Sequence, residues 1–316
     1  MTDIDCIVVS YNTADLLHEC MNGLKSASQH LKVHTVIVDN ASRDRSVELI
    51  RSDFPDCQLI ANPFNVGFGR ANNQALSSLQ GRYVLLLNTD AFLAADTLMQ
   101  TVKYMDGNPK CGILGVRLEG RDGVLQPCCR YFPTPWNTFL QRTGLARLFA
   151  SVQMVDNMEW SHDEVRACDW VVGCYYLIRR EVIDQIGLFD PRYFLYFEEV
   201  DHCFAAKKAG WDVVFYPHTT VVHLGGESAK SEGAITQGGK QLEKLQVESE
   251  LLYYRKNLGA AAACTSVVLT CFAEILNLLK RVPKRGVPLQ AKAAWRRMTV
   301  VCGIYLQTRC AAQATR

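Results

Sequence analysis

Four short runs of aliphatic and β-branched residues, each followed by a helix-like segment, fill the first hundred residues and restrict this chain's architecture more than any other feature. The runs are residues 4–10, 35–39, 57–61 and 83–88, and each is near-continuously apolar rather than alternating. A strand that is apolar on both faces must be covered on both, which is the condition of a buried parallel sheet. Helical segments are predicted between and after them at 15–27, 43–53, 69–79 and 95–105, with Asn12 or Thr13, Ser42, Asn65 and Ala94 near their starts. Alternating strand and helix with right-handed crossovers gives an α/β fold with a doubly wound, mainly parallel sheet.

The rest of the chain is less regular. Residues 120–135 carry turn signals and the Cys128–Cys129 pair, and 140–167 is only weakly periodic. A strand is predicted at 170–179, a helix at 180–186, a loop at 187–192 and a helix at 198–209. Strands at 213–216 and 220–224, a polar Gly/Ser-rich stretch at 225–239 read as a mobile loop, and a helix at 240–257 complete this part. Residues 1–258 therefore read as one domain, and 259–316 as a C-terminal helical extension ending in a helix at 289–307.

Charge sets the extension apart. The net charge of the 316 residues is +2, yet no acidic residue follows Glu274, while Lys280, Arg281, Lys284, Arg285, Lys292, Arg296, Arg297, Arg309 and Arg316 do. Residues 258–279 hold one charge, and Trp295 and Tyr305 lie among the later bases. An apolar stretch followed by basic residues suits an anionic membrane surface, with the tail lying on or dipping into the cytoplasmic leaflet. Nucleic acid would explain the bases but none of the polar loops described next. The thirteen cysteines form no C-x-x-C pair and sit mostly in apolar runs, as Cys6, Cys174 and Cys271 do. They read as reduced residues of a cytosolic protein, peripheral on the inner face of the cell membrane. The N-terminus has no basic stretch leading into a long apolar one, so no signal peptide is expected.

In open parallel sheets, ligands bind beyond the carboxyl ends of the strands. Here those positions hold Ser10-Tyr11-Asn12, Asp39-Asn40-Ala41-Ser42, the block from Asn62 to Asn72, and Asn88-Thr89-Asp90. One such loop is usually a cap or turn; four on one rim point to a nucleotide site. Two nucleotide chemistries, hydride transfer and P-loop hydrolysis, fall well behind. The first strand–helix turn contains no glycine, so a dinucleotide fingerprint is missing, and no glycine-rich run ends in Gly-Lys-Ser/Thr.

These residues resemble the family 2 glycosyltransferases, and among them the bacterial rhamnosyltransferase-type enzymes of surface polysaccharide assembly. The resemblance rests on VVSYN at 8–12, VDNAS at 38–42, NVGFGRANNQ at 65–74 and LLLNTDA at 85–91. It continues through DWVVGCYYLIRREV at 169–182, GLFDPRYFLYFEEVDHCFAAKKAG at 187–210 and VVFYPHTTVVHLGG at 213–226. It implies a GT-A fold over roughly residues 4–258 and inverting transfer of a sugar, rhamnose by analogy, from a dTDP- or UDP-linked donor to a hydroxyl of a glycan or lipid-linked acceptor.

The resemblance also implies roles. Asp39 is expected to accept hydrogen bonds from the base or ribose, with Ser10, Asn12 and Asn40 around the nucleoside. Gly67 and Gly69 let the backbone approach the nucleotide, and Arg70 offsets diphosphate charge. Asn88-Thr89-Asp90 stands at the family's Asp-x-Asp position, so Asp90 is the expected ligand of Mg2+ or Mn2+, while Asn88 in place of the first Asp lowers the local negative charge and is expected on the donor side, at the sugar. His223 is the distal metal ligand, with His218 the competing candidate. Glu198, Glu199 and Asp201 crowd three carboxylates into four residues, which raises at least one pKa toward that of a useful base. Glu199 is the favoured base, and Asp201 reads equally well as helix N-terminal charge. Trp170 and Gly173 are assigned to the acceptor side, with some of Phe189, Tyr193, Phe194, Tyr196 and Phe197 lining its cleft. Two other readings are a nucleotidyltransferase, which needs a glycine-rich, Lys-bearing first loop missing here, and a non-catalytic nucleotide-sugar-binding or scaffold protein, whose one support is Asn88 in place of an aspartate.

Overall fold

The structure is a computed structural model that describes residues 2–149, 152–156, 158, 160–225, 240–280 and 287–316. Strands β1 (Ile4–Ser10), β2 (Val33–Asp39), β3 (Gln58–Ala61) and β4 (Tyr83–Asn88) pair in parallel in the order β3-β2-β1-β4. Helices α1 (Ala14–Ala27), α2 (Ser46–Asp53), α3 (Phe68–Gln74) and α4 (Thr97–Gly107) connect or follow them. The apolar runs behave as expected of covered strands: Ile4, Cys6, Ile7 and Val8 have no exposed surface, nor do Val84, Leu85 and Leu86. Helix α3 is shorter than the segment predicted at 69–79, because a separate 3-10 turn, Leu76–Ser78, takes over after it.

The sheet's other half is mixed. It contains β5 (Ala91–Leu93), β6 (Cys111–Glu119), β7 (Arg166–Ala167), β8 (Tyr175–Arg179) and β9 (Asp212–His223). The order continues β4-β8-β6-β9-β5, with β8 antiparallel to both neighbours and β6 parallel to β9. Three sequence expectations change here. Strand β6 was not anticipated. The strand predicted at 170–179 begins only at Tyr175. The two strands predicted at 213–216 and 220–224 are one, whose register against β6 shifts between Tyr216 and Thr220 to accommodate Pro217. Helices α6 (Arg180–Ile186) and α7 (Glu198–Lys208) follow β8, as predicted.

Contacts divide the chain into two compact units. The first, Met1–Arg130, Met158–Pro191 and Glu198–Gly238, contains the whole sheet. The second comprises Tyr131–Asn157, Arg192–Phe197 and Gly239–Arg316. In it, helix α5 (Pro135–Thr143) starts with a capping box: Thr134 Oγ1 accepts the Asn137 amide at 3.1 Å, and Asn137 Oδ1 accepts that of Thr134 at 2.6 Å. The same unit holds α8 (Lys240–Asn257), α9 (Ala260–Leu279) and α10 (Val287–Gln307). Phe139 of α5 stacks on Phe272 of α9 with ring centroids 5.8 Å apart. Glu274 of α9 receives a two-pronged contact from Arg297 of α10 at 2.7 and 2.8 Å. By length and composition α9 is apolar enough to cross a membrane, and only 28 % of that stretch is buried, unlike a core helix. All thirteen cysteines are free thiols; eight are buried, but Cys271, assigned to the core from sequence, is only half-buried, and Cys264, Cys302 and Cys310 are exposed. Residues 226–239 of the loop predicted at 225–239 and the bases Arg281, Lys284 and Arg285 lie outside the described residues.

Candidate active site

Parallel pairing aligns the carboxyl ends of the first strands into one rim. Ser10 is in register with Asp39, Asn88 with Val9, and Asp39 with Ala61. Asp39 is buried, with Oδ1 accepting the Ser42 amide at 2.9 Å. Its other oxygen, Oδ2, is buried with no hydrogen-bond partner. A carboxylate oxygen withdrawn from water and left unmatched costs roughly 1–3 kcal/mol, so this position invites a ligand donor. Asn12 and Asn40 hold the loops of this rim rather than standing idle. Asn12, in the left-handed region at φ 54°, accepts from Arg43 N at 2.7 Å while its own amide donates to Ser42 Oγ at 2.9 Å. Asn40 donates to Asn65 Oδ1 at 2.9 Å and accepts from Val66 N at 3.0 Å. Ser10 is buried, with its hydroxyl 3.2 Å from that of Thr13.

The glycine block after β3 serves two kinds of contact. Gly67 sits at φ 91° as the residue before α3, a conformation other residues rarely adopt. Gly69 faces inward: a Cβ there would lie 3.1 Å from Glu198 Cγ and 3.3 Å from Phe189 Cβ. This places the glycine against the carboxylate block, a role the sequence reading did not give it. Arg70 Nε donates to the Pro191 carbonyl at 2.8 Å, and Asn73 exchanges two hydrogen bonds with the backbone of Phe189 at 2.7 and 3.1 Å. Helix α3 thus anchors the 187–191 loop.

Asp90 and His223 meet because β5 and β9 pair antiparallel, with Ala91 in register with His223. His223 Nε2 is 3.6 Å from Asp90 Oδ1, and both side chains are nearly buried. The opposite ring nitrogen, Nδ1, is 2.8 Å from Gln126 Oε1, whose amide nitrogen donates to the His223 carbonyl at 2.7 Å. Gln126 has only an acceptor to offer Nδ1, so Nδ1 carries the proton and Nε2 presents its lone pair toward Asp90. Burial lowers the pKa of His223, outweighing the upward pull of Asp90, which favours the neutral ring. A buried carboxylate and a neutral imidazole oriented by a third side chain are a suitable donor pair for a divalent cation. Among the described residues, no cluster of three or more His, Cys, Asp or Glu includes this pair. His218 is exposed beside Tyr216, within the β9 irregularity, and is not part of this pair.

Glu198 and Glu199 open α7. Glu198 is buried with Oε1 unpartnered, and burial followed by the charge of Glu199 pushes its pKa well above the ordinary value. Glu199 is less enclosed by its surroundings. Burial raises its pKa too, while Arg130 and the Gly173 amide pull it back. A Cβ on Gly173 would sit 3.9 Å from Glu199 Oε1, an ordinary contact distance, so Gly173 borders the carboxylate. The next residue, Cys174, accepts the Asn88 amide at 3.0 Å, tying the end of β4 to the strand beside Glu199. Asp201 is buried, one turn into the same helix. Trp170 is buried beneath the Arg130 guanidinium, 4.8 Å from its ring centroid, which occupies one face of the indole. Phe189 and Tyr193 are also buried, a packing position. The side chain that sequence reasoning missed is Gln126; it sits in a turn-rich stretch, 97 residues from its partner, and no local pattern marks it.

Residues 5–149 match the profile of glycosyl transferase family 2. The chain is 26 % identical over 244 residues to the N-acetylglucosaminyl-diphospho-decaprenol L-rhamnosyltransferase of Mycobacterium tuberculosis, covering 71 % of this chain and 76 % of that protein. It is 21 % identical over 225 residues to the rhamnosyltransferase WbbL of Escherichia coli, covering 69 % and 81 %. A solved mannosyltransferase from Pyrobaculum calidifontis, in complex with GDP-Man and Mn2+, superposes with a TM-score of 0.55 at 16 % identity, over 99 % of this chain and 86 % of that one. At that identity the likeness is one of fold.

Proposed function

We propose that this chain, whose residues 5–149 match glycosyl transferase family 2 and whose fold is of the GT-A type, carries out an inverting, metal-assisted sugar transfer. The donor is a nucleoside-diphosphate sugar, and the acceptor is a hydroxyl on a lipid-linked glycan. The observation that carries this reading is the buried, unmatched Oδ2 of Asp39 on the strand rim. An N–H of a pyrimidine base or a ribose hydroxyl satisfies it, as no group among the described residues does. Sequence relatives named as rhamnosyltransferases, one of them by name acting on N-acetylglucosaminyl-diphospho-decaprenol, favour a deoxyhexose as the sugar and a polyprenyl-diphosphate-linked acceptor, with dTDP or UDP as the nucleotide on the motif resemblance. We assign catalysis to residues 1–258 and membrane attachment, at the inner face of the cell membrane, to the tail from 259 to 316.

In this mechanism the base or ribose donates to Asp39, and the diphosphate lies toward Asp90 and His223. Those two residues would hold Mg2+ or Mn2+, which supplies positive charge to the departing diphosphate. Glu199 takes the proton of the acceptor hydroxyl as its oxygen bonds to the anomeric carbon. The bond from that carbon to the phosphate oxygen breaks, and its electron pair leaves with the nucleoside diphosphate. Attack from the face opposite the diphosphate inverts the configuration, and no second carboxylate nucleophile is needed. Glu198, buried and with its pKa pushed up by burial and then by the charge of Glu199, lines the block beside it.

The test is a panel of dTDP-, UDP- and GDP-linked sugars incubated with a polyprenyl-diphosphate acceptor, scoring nucleoside diphosphate release with and without divalent metal. Metal-dependent release with one nucleotide class supports the reading. Tight nucleotide binding with no release on any acceptor would return the chain to a binding role, and pyrophosphate production from a nucleoside triphosphate would make it a nucleotidyltransferase.

A further inference from the structure

The second compact unit carries an apolar surface built from two distant parts of the chain. On α9, Val268, Phe272, Ile275 and Leu279 are exposed and follow one another at spacings of four, three and four, which makes one stripe along the helix. Beside it, Trp136 of α5 and Leu148 and Phe149 just after α5 are exposed as well. Ring contacts join the two parts: Phe149 meets Trp136 at 5.7 Å, Trp136 stacks on the buried Phe139 at 5.5 Å, and Phe139 stacks on Phe272 at 5.8 Å.

The junction is fixed by hydrogen bonds. Asn277 Nδ2 donates to the Arg142 carbonyl at 3.0 Å, and Lys280 Nζ donates to the Thr143 carbonyl at 2.6 Å. Both bonds satisfy carbonyls at the end of α5, so the two elements present their apolar side chains as a single face. Water is a poor partner for so large a connected aromatic and aliphatic surface.

Charge selects the occupant. Residues 131–149 contain no carboxylate, and they contain Arg142 and Arg147. The one acid of α9, Glu274, is buried and engaged by Arg297 on α10. Lys280 closes the stripe at its end, and Arg142 is partly offset by Glu250. A surface that is apolar in the middle, basic at one end and without an exposed acid complements a bilayer with anionic headgroups. A second copy of the same face would set its bases against one another with no carboxylate between them.

We infer that residues 136–149 and the outer face of α9 form one membrane-docking surface, whose apolar side chains enter the headgroup boundary of an anionic bilayer while Arg147 and Lys280 meet lipid phosphate. The contact therefore extends beyond the C-terminal tail, to a segment more than a hundred residues earlier.

The test uses the full chain and vesicles of phosphatidylcholine alone or mixed with phosphatidylglycerol. Leu148→Ser with Phe149→Ser leaves the tail sequence intact and should weaken sedimentation with the mixed vesicles by about tenfold or more, since two large apolar side chains lose their burial. Nucleoside diphosphate affinity on the same preparation verifies that the variant is folded. Independently, lipids brominated near the headgroup should quench the wild-type tryptophan fluorescence, and part of that quenching should vanish in Trp136→Phe. Equal vesicle binding by wild type and double variant would overturn the inference, as would quenching unchanged in Trp136→Phe. So would a wild type that ignores vesicles but self-associates through this face and becomes monomeric in the double variant.

Discussion

Gln126 grips His223 at two points, accepting from Nδ1 at 2.8 Å and donating to the same residue's carbonyl at 2.7 Å. The grip fixes the tautomer and aims Nε2 at Asp90, 3.6 Å away. Gln126→Leu keeps much of the volume but frees the ring. Mn2+ affinity in the presence of nucleoside diphosphate, followed by electron paramagnetic resonance of the free ion, should fall about 10–100-fold, the usual effect of losing an outer partner of a ligating histidine. His223→Ala should weaken it at least as much. Unchanged Mn2+ affinity in both would remove His223 from metal binding.

Asp39→Ala should weaken the sugar donor and the free nucleoside diphosphate together, because both carry the base and ribose. Loss of a hydrogen bond to a charged group amounts to about 1.5–3 kcal/mol. Titration calorimetry with the two ligands measures this. A loss confined to the donor would place Asp39 at the sugar, and no loss would remove it from the site.

Gly69→Ala sets two effects against each other. A helical alanine gains about 1 kcal/mol over glycine, while forcing a methyl into a filled space costs about 1–3 kcal/mol. With Glu198 Cγ at 3.1 Å and Phe189 Cβ at 3.3 Å from the added carbon, the steric cost wins. A net loss of about 1 kcal/mol is expected in urea unfolding. A gain instead would mean that the α7 start yields easily.

How much of this was legible in the sequence depended on distance along the chain. The runs at 4–10 and 83–88 matched β1 and β4 because buried parallel strands need no long-range partner to be recognised as apolar runs. Strand β6 escaped because Gly112 and Gly115 punctuate it. A Cβ on Gly112 would come within 2.7 Å of Trp211 and one on Gly115 within 2.5 Å of Val171, so those glycines record close packing and not turns. Pro217 split β9 for the same kind of reason: its irregularity is absorbed by a register shift against β6 that only the partner strand reveals. In the site, the rim position of Asp39 followed from strand order, and the pairing of β5 with β9 puts His223, not His218, beside Asp90. The inward face of Gly69 and the grip of Gln126 belong to tertiary contacts that periodicity does not encode.

Glu198 makes stability depend on pH. The unfolded carboxyl titrates near 4.5, and in the folded protein burial raises that value. The folded state therefore binds the proton more tightly, so this group's contribution is full below 4.5 and is lost as pH rises through the folded value. Glu198→Gln keeps the shape and cannot ionise. Its melting temperature should fall less than that of the wild type between acid and neutral pH. Parallel curves for the two proteins would mean that Glu198 does not titrate in that window.

The last prediction separates catalysis from binding within the Glu198-Glu199-Val200-Asp201 block. Glu199 borders Gly173 and is less enclosed than Glu198, whose proton is harder to remove. An acceptor hydroxyl needs a base that is both reachable and deprotonated, and of the two Glu199 meets that demand better. Glu199→Gln preserves size and hydrogen bonding while removing basicity, so donor affinity should hold while transfer falls about 10²–10⁴-fold, the usual share of a general base. The wild-type rate should rise with pH through an apparent pKa above that of an ordinary glutamate, because burial favours the protonated form, and Glu199→Gln should abolish that rise. Glu198→Gln and Asp201→Asn are measured alongside, for transfer and for donor binding on the same preparations. Near-normal transfer in Glu199→Gln, with a collapse in one of the other two, would move the base to that neighbour. A variant that loses donor binding as well belongs to the donor or metal site, and near-normal transfer in all three would leave the block a charged helix start whose carboxylates take no part in the chemistry.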